Sequence, residues 1–188
     1  MQDGIPSVPE ARAILEEFTA SPNLRKHAQA VAAAMRAYAD SFGEPPARWE
    51  VVGLLHDFDY EKFPTLSEHP FRGAEILRSC GASDELIKDI FAHAPHTKQP
   101  RDTLLRKAIF ACDELAGFIV AVALVQPHKK LSEVTVGRVL KKLRQTRFAA
   151  GVSREDIERG AIELGASLPE HVGTVLAALQ GTAAELGL

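Results

Sequence analysis

Four places in this 188-residue sequence set a histidine or an aspartate where the neighbouring pattern is apolar. In VVGLLHDFDYEKFP, residues 51–64, an apolar run ends in the doublet His56-Asp57. His27 falls beside an apolar stripe, one helical turn from Leu24 and Val31. His93 follows LIKDIFA, and Asp113 lies between Ile109 and Gly117 in the most apolar stretch of the chain. A buried carboxylate without a partner is costly, and so is a buried imidazolium. Groups of this kind on different helices lose that cost together when they surround a cation, and imidazole with carboxylate is the donor set of a divalent metal. Each position alone has a plainer reading. A lone histidine on a helix is usually packing, Asp57 can cap the next segment, and Asp113 can pair with an arginine such as Arg106. The order His, His-Asp, His, Asp on successive segments is what favours the metal. Such an ion would lower the pKa of a bound water and neutralise charge on a phosphoryl oxygen.

The elements that must position these residues read as helices almost throughout, and no segment shows strand alternation. SVPEARAILEEF opens with Ser7 and Glu10, a capping signal. SPNLRKHAQAVAAAMRAYADSFG runs from a Ser-Pro start to Gly43, with its stripe at Leu24, Ala28, Val31, Met35 and Tyr38. PPARWEVVGLLHD is the third helix, SEHPFRGAEILRSCG the fourth and SDELIKDIFAHA the fifth. A loop, PHTKQPRD, leads to a long helix over 102–125, and Pro127 breaks the chain. LSEVTVGRVLKKLRQ, SREDIERGAIEL and LPEHVGTVLAALQGTAAEL complete an all-α, single-domain bundle over 1–188, with a motif-bearing core at about 20–125 and further helices over 131–188. Adjacent helical residues point about 100° apart, so His56 and Asp57 reach one ion only from the end of their helix. Asp57, with two oxygens, is placed to bridge two ions.

Composition narrows the function classes. Apolar residues at 46% and charged residues at 25% are those of a globular domain, and the net charge of −3 gives no basic field to attract a nucleic-acid polymer or an anionic membrane. The basic run KKLRQTR, 141–147, lacks interleaved aromatics and reads as a solvated helix face. Cys80 and Cys112 make neither a disulfide framework nor a zinc motif, which suits a reducing, cytoplasmic setting. MQDGIPSVPEAR carries acid and proline where a signal peptide needs a basic and then an apolar region. The apolar run 108–125 contains Asp113 and Glu114 and reads as a buried helix.

These residues resemble the signature of the HD-domain superfamily of metal-dependent phosphohydrolases, H…HD…D on a helical bundle. His27 matches the first histidine, His56-Asp57 the doublet, and Asp113 in FACDELAGF the distant aspartate. SEHPFRGAEIL is similar to the family segment that places His69 as a further ligand, and IFAHAPHT to the one that supplies His93. As a whole the chain looks like a bacterial branch of HD proteins. It departs from the family at the doublet, where many members read His-Asp-Ile-Gly-Lys and this chain reads His56-Asp57-Phe58-Asp59-Tyr60, with Lys62 further on. No Gly-Tyr-Pro follows His93, which argues against the cyclic-dinucleotide branch.

The resemblance implies a metal-dependent phosphohydrolase of a small phosphorylated substrate, a nucleotide included, using one or two ions of Fe, Mn, Zn, Mg, Co or Ni. With two ions, His69 and His93 would serve the second, across Asp57 from His27, His56 and Asp113. The plainer alternative is that His69 caps its helix beside Pro70 and His93 packs in the core. Lys62, Arg72, Lys98 and Arg101 lie near the motif segments and are the candidate phosphate contacts, each otherwise a surface charge. His96 is the candidate proton donor beside Asp57. Trp49, Phe58, Tyr60 and Phe63 surround the doublet as pocket wall or base-stacking groups. Two other functions fit the same ligands: a diiron oxygenase of the HD fold, and a binding module without catalysis.

Overall fold

The computed structural model describes residues 3–188; Met1 and Gln2, the start of the acid- and proline-bearing N-terminal segment, lie outside the described residues. The chain is helical, with α1 (Val8–Phe18), α2 (Pro22–Phe42), α3 (Pro46–Leu55), α4 (Phe71–Ser79), α5 (Asp84–Phe91), α6 (Leu104–Leu124), α7 (Val136–Leu143), α8 (Arg154–Glu163), α9 (Leu168–Gly181) and α10 (Ala183–Leu186). Single turns of 3₁₀ helix stand at Pro95–Thr97 and Leu131–Glu133. Among the described residues there is no strand, and no helix is long and apolar enough to cross a membrane.

The helix starts follow local chemistry. Ser7 and Glu10 form the capping box of α1, and the side chains of Ser21, Ser83, Thr103, Thr135, Ser153 and Ser167 cap six later helices. Gly43 closes α2 at φ 70°, the left-handed conformation that costs glycine little.

The apolar side chains form a continuous cluster from Ala11 on α1 to Leu186 on α10. Helix α3 is buried all round after its first turn, Trp49 through Leu55, with Glu50 among them paired to Arg12 and Arg36. It lies close on α2 because Gly53 faces Ala32, and a Cβ on Gly53 would stand 2.5 Å from the Ala32 Cα. On the other side of the core, Gly160 of α8 meets Ala111 of α6 in the same way, at 2.6 Å. Asp89 of α5 is buried and takes Arg48 of α3 and Arg106 of α6, which locks these three helices together. Arg106 reaches Asp89, Asp102 and Glu85 and makes no pair with Asp113.

Several boundaries differ from the sequence expectation, and prolines and caps explain most of them. The fourth helix begins at Phe71, not at Ser67. Pro70 follows a cis His69–Pro70 bond, and a residue before proline is disfavoured in helical conformation, so Ser67–Pro70 is a turn. The third helix ends at Leu55 and the fifth at Phe91, which leaves the doublet and His93 just beyond helix ends. The long helix starts at Leu104, after the Thr103 cap, and the C-terminal segment divides at Thr182. Thr135 caps α7, so that segment opens with the 3₁₀ turn Leu131–Glu133, passes through the extended Val134–Thr135, and is α-helical only in its second half.

Candidate metal centre

Of the six proposed ligands only His27, on α2, and Asp113, on α6, lie within helices. Gly117 of α6 faces the His27 ring, where a Cβ would make ordinary contact with Nδ1 at 3.5 Å. His27 Nε2 lies 3.0 Å from Asp113 Oδ1. His56, fully buried at the end of α3, donates from Nδ1 to the Gly53 carbonyl at 2.8 Å. His93 donates from Nδ1 to the Ile90 carbonyl at 2.6 Å. The third anchored imidazole is His69, whose Nδ1 lies 2.8 Å from Oδ1 of the buried Asp59.

These bonds fix which nitrogen faces the centre. A carbonyl only accepts, so the Nδ1 atoms of His56 and His93 carry the protons and each Nε2 presents a lone pair inward. Yet His69 Nε2 and His93 Nε2 stand 3.1 Å apart, and His56 Nε2 and His27 Nε2 3.2 Å apart. Between His69 and His93, whose Nδ1 protons are both committed, two lone pairs at that separation need a proton or a cation between them, whereas His27 Nε2 also faces Asp113 Oδ1 and can carry its own proton there.

Asp57 supplies the negative counterpart and divides it. Its Oδ2 lies 3.4 Å from His56 Nε2 and 3.8 Å from His27 Nε2, while Oδ1 lies 3.2 Å from His69 Nε2 and 3.4 Å from His93 Nε2. Two donor groups result, His27–His56–Asp57–Asp113 and Asp57–His69–His93, each with its donor atoms within 4.8 Å of one another. Both groups fit a divalent metal: converging donors of imidazole and carboxylate, backed at His56, His69 and His93 by a hydrogen bond at the far ring nitrogen.

Proton affinities show the same demand for positive charge. Burial pushes the His56 imidazole down, but the carboxylates of Asp57 and Asp113 outweigh it and hold it well above the usual range. Burial opposes and hydrogen bonds to Asp57 and Asp59 win at His69, which is raised to about 9. Asp57 and Asp113 are raised by burial and lowered further by the histidines, above all His56, ending well below the carboxylate range.

Residues 24–117 match the family model described as HD domain, half of the chain, and that stretch carries all six of these residues. The chain belongs to the HD domain family. No curated protein and no solved structure matches it. HD domain proteins are mostly metal-dependent hydrolases, and the His/Asp groups of this centre could hold a divalent metal.

The centre of this HD protein opens into a cleft of about 170 Å³ walled by Tyr60, His96, Phe110, Glu114 and Asp156. His96 donates from Nε2 to the His69 carbonyl at 2.9 Å. Tyr60 stands edge-on to His69, whereas Trp49 and Phe58 are buried in the core. Burial, Asp113 and Asp156 raise the Glu114 carboxyl to about 7, with burial the largest cause. None of the four candidate phosphate contacts lines this cleft. Lys62 lies over the Phe18 ring at 4.1 Å, and Arg72 pairs with Glu75 on the exposed face of α4. Lys98 and Arg101 line a neighbouring depression.

Sequence reasoning passed over Asp59, Glu114 and Asp156. Asp59 had a signal: a second aspartate two residues after the doublet, and Gly73 four residues after His69. The Gly73 N–H donates to Asp59 Oδ2 at 2.8 Å, and a Cβ on Gly73 would sit 2.7 Å from the Asp59 carboxyl carbon. Only glycine lets α4 start against that carboxylate.

Proposed function

We propose that this HD protein is a metal-dependent phosphohydrolase acting on a small phosphorylated molecule, nucleotides included. The observation that carries the reading is Asp57, whose two oxygens address separate imidazole pairs. His27, His56 and Asp113 would hold one ion, His69 and His93 a second, and Asp57 both. Bound there, divalent ions supply charge for phosphoryl oxygens and acidify water toward neutrality.

The chain's own residues do the rest. Asp59 accepts the His69 Nδ1 proton and so keeps the Nε2 lone pair directed inward. His96 commits its Nε2 proton to the His69 carbonyl, so it would protonate the leaving oxygen from Nδ1 as the doubly protonated imidazolium, returning to the neutral ring. Tyr60 and Phe110 narrow the cleft to a small ester. A nucleic-acid polymer is not the expected partner, given the net charge of −3 and four carboxylates at the cleft, Asp57, Asp113, Glu114 and Asp156.

The test is elemental analysis of the purified protein followed by a screen of phosphate esters with the metal found. Phosphate release from at least one class of ester is the expected result. A metal-loaded protein that hydrolyses none, while an iron-loaded sample takes up oxygen with an organic substrate, would replace this reading with that of a diiron oxygenase.

A further inference from the structure

Beside the metal cleft lies a second depression of about 500 Å³, lined by Pro95, Lys98, Arg101, Lys107, Arg159 and Glu163. The two share a wall. Pro95 lines both, and the 3₁₀ turn it begins carries His96 into the cleft and ends at Lys98 in the depression. Phe110 lines the cleft, with the guanidinium of Arg101 3.8 Å and that of Arg159 4.6 Å from its ring centre. Asp156 of the cleft pairs with Arg159 of the depression.

The charges on the two sides are opposite. The cleft wall carries carboxylates and no lysine or arginine, whereas the depression gathers four cations around the single carboxylate of Glu163. Arg101 takes Glu163 in a two-pronged pair at 2.6 Å on each arm, and Arg159 takes Asp156. Lys98 and Lys107 make no ion pair among the described residues. Lys98 also holds φ 56°, a left-handed conformation that glycine or asparagine adopts at lower cost than lysine.

We propose that this depression seats a second anionic group of the substrate, a phosphate or a carboxylate, while the scissile phosphoester lies in the metal cleft. The inference rests on the phosphohydrolase reading of that cleft and narrows it to small esters with two anionic ends. Arg101 and Arg159, held by their acidic partners and by Phe110, form the rigid floor. Lys98 and Lys107 supply the uncompensated charge that a second anion needs.

Three esters with one flexible chain test this: butyl phosphate, butane-1,4-diyl bisphosphate and 4-(phosphonooxy)butanoate. The wild-type kcat/KM is expected to favour an ester with a second anion over butyl phosphate by at least about ten-fold, the scale of a charge-assisted contact. Preference for the bisphosphate alone, or for both, tells phosphate from carboxylate. In the Lys98→Ala, Lys107→Ala variant the ratio should fall to within about two-fold. No wild-type preference, or the full preference kept in the variant, overturns the proposal. If none of the three is turned over, calorimetric titration of the bisphosphate decides the depression independently of the phosphohydrolase reading, which its own screen tests. Binding weakened about ten-fold in the variant sustains an anion site, and equal binding removes it.

Discussion

Asp57 keeps about a fifth of its side chain exposed, while His56 beneath it is fully buried. The carboxylate therefore meets both the cleft and the imidazoles, and it can be shared between them. Asp113 lines the same cleft and is exposed to the same degree. It faces His27 and His56 from an apolar helix, and without them its charge would be uncompensated. Asp113→Ala is expected to abolish activity and lower metal content while the protein stays folded. Wild-type metal content in that variant would refute its role as a ligand. Asp59→Asn tests the support behind a ligand. It keeps the shape but sets an amide N–H against the Gly73 N–H or the His69 Nδ1–H. One of two equivalents should bind roughly 10–100-fold more weakly, as loss of such a partner usually costs. Calorimetric metal titration with two unchanged equivalents would contradict the assignment. Polar residues in apolar surroundings marked His27, His56-Asp57, His93 and Asp113 as candidate ligands in the sequence, and the family resemblance added His69. Asp59 showed only as a second aspartate beside the doublet, because its partner His69 lies ten residues on, across a turn that no periodicity encodes.

At the scale of elements, the centre depends on how closely helices approach. Gly53 serves twice: it admits Ala32 against α3, and its carbonyl orients His56. Gly53→Ala should destabilise the fold by about 1–3 kcal/mol through overpacking. Thermal unfolding should move down by roughly 2–4 °C for each kcal/mol. Because α3 must shift to relieve the contact, metal affinity should fall with it. An unchanged Tm with wild-type metal binding would show that the contact is not a constraint. Helix existence was readable throughout, since apolar spacing and caps such as Ser7–Glu10 act locally. The ends were less so around the site. His69 looked like the head of a helix, but Pro70 excludes it, and that exclusion frees His69 to turn toward Asp59.

At the scale of the molecule, the C-terminal helices close the core behind the site. His171 of α9 is fully buried, takes the Tyr38 hydroxyl of α2 on Nδ1 and donates from Nε2 to the Ala111 carbonyl of α6. Burial holds its pKa below the ordinary value of 6.5, so the native state binds fewer protons there than the unfolded chain. Its stabilisation is complete above about pH 6.5 and is lost as pH falls toward the lowered native value. Between about pH 7 and pH 5, Tm should drop more steeply in the wild type than in His171→Gln, and equal slopes would contradict the account. Nothing in the spacing of LPEHVGTVLAAL marked this histidine as a clasp, because its partners lie 133 and 60 residues away.

The most direct measurement of the central claim is metal stoichiometry. Two donor groups meeting at Asp57 predict that the wild type binds two equivalents of a divalent metal, with two anomalous peaks at the roughly 3.5–4 Å spacing of two-metal hydrolases. The His69→Ala, His93→Ala double variant should keep about one equivalent, on the side of His27, His56 and Asp113. Saturation of the wild type at one equivalent, with a single anomalous peak, would contradict the shared role of Asp57.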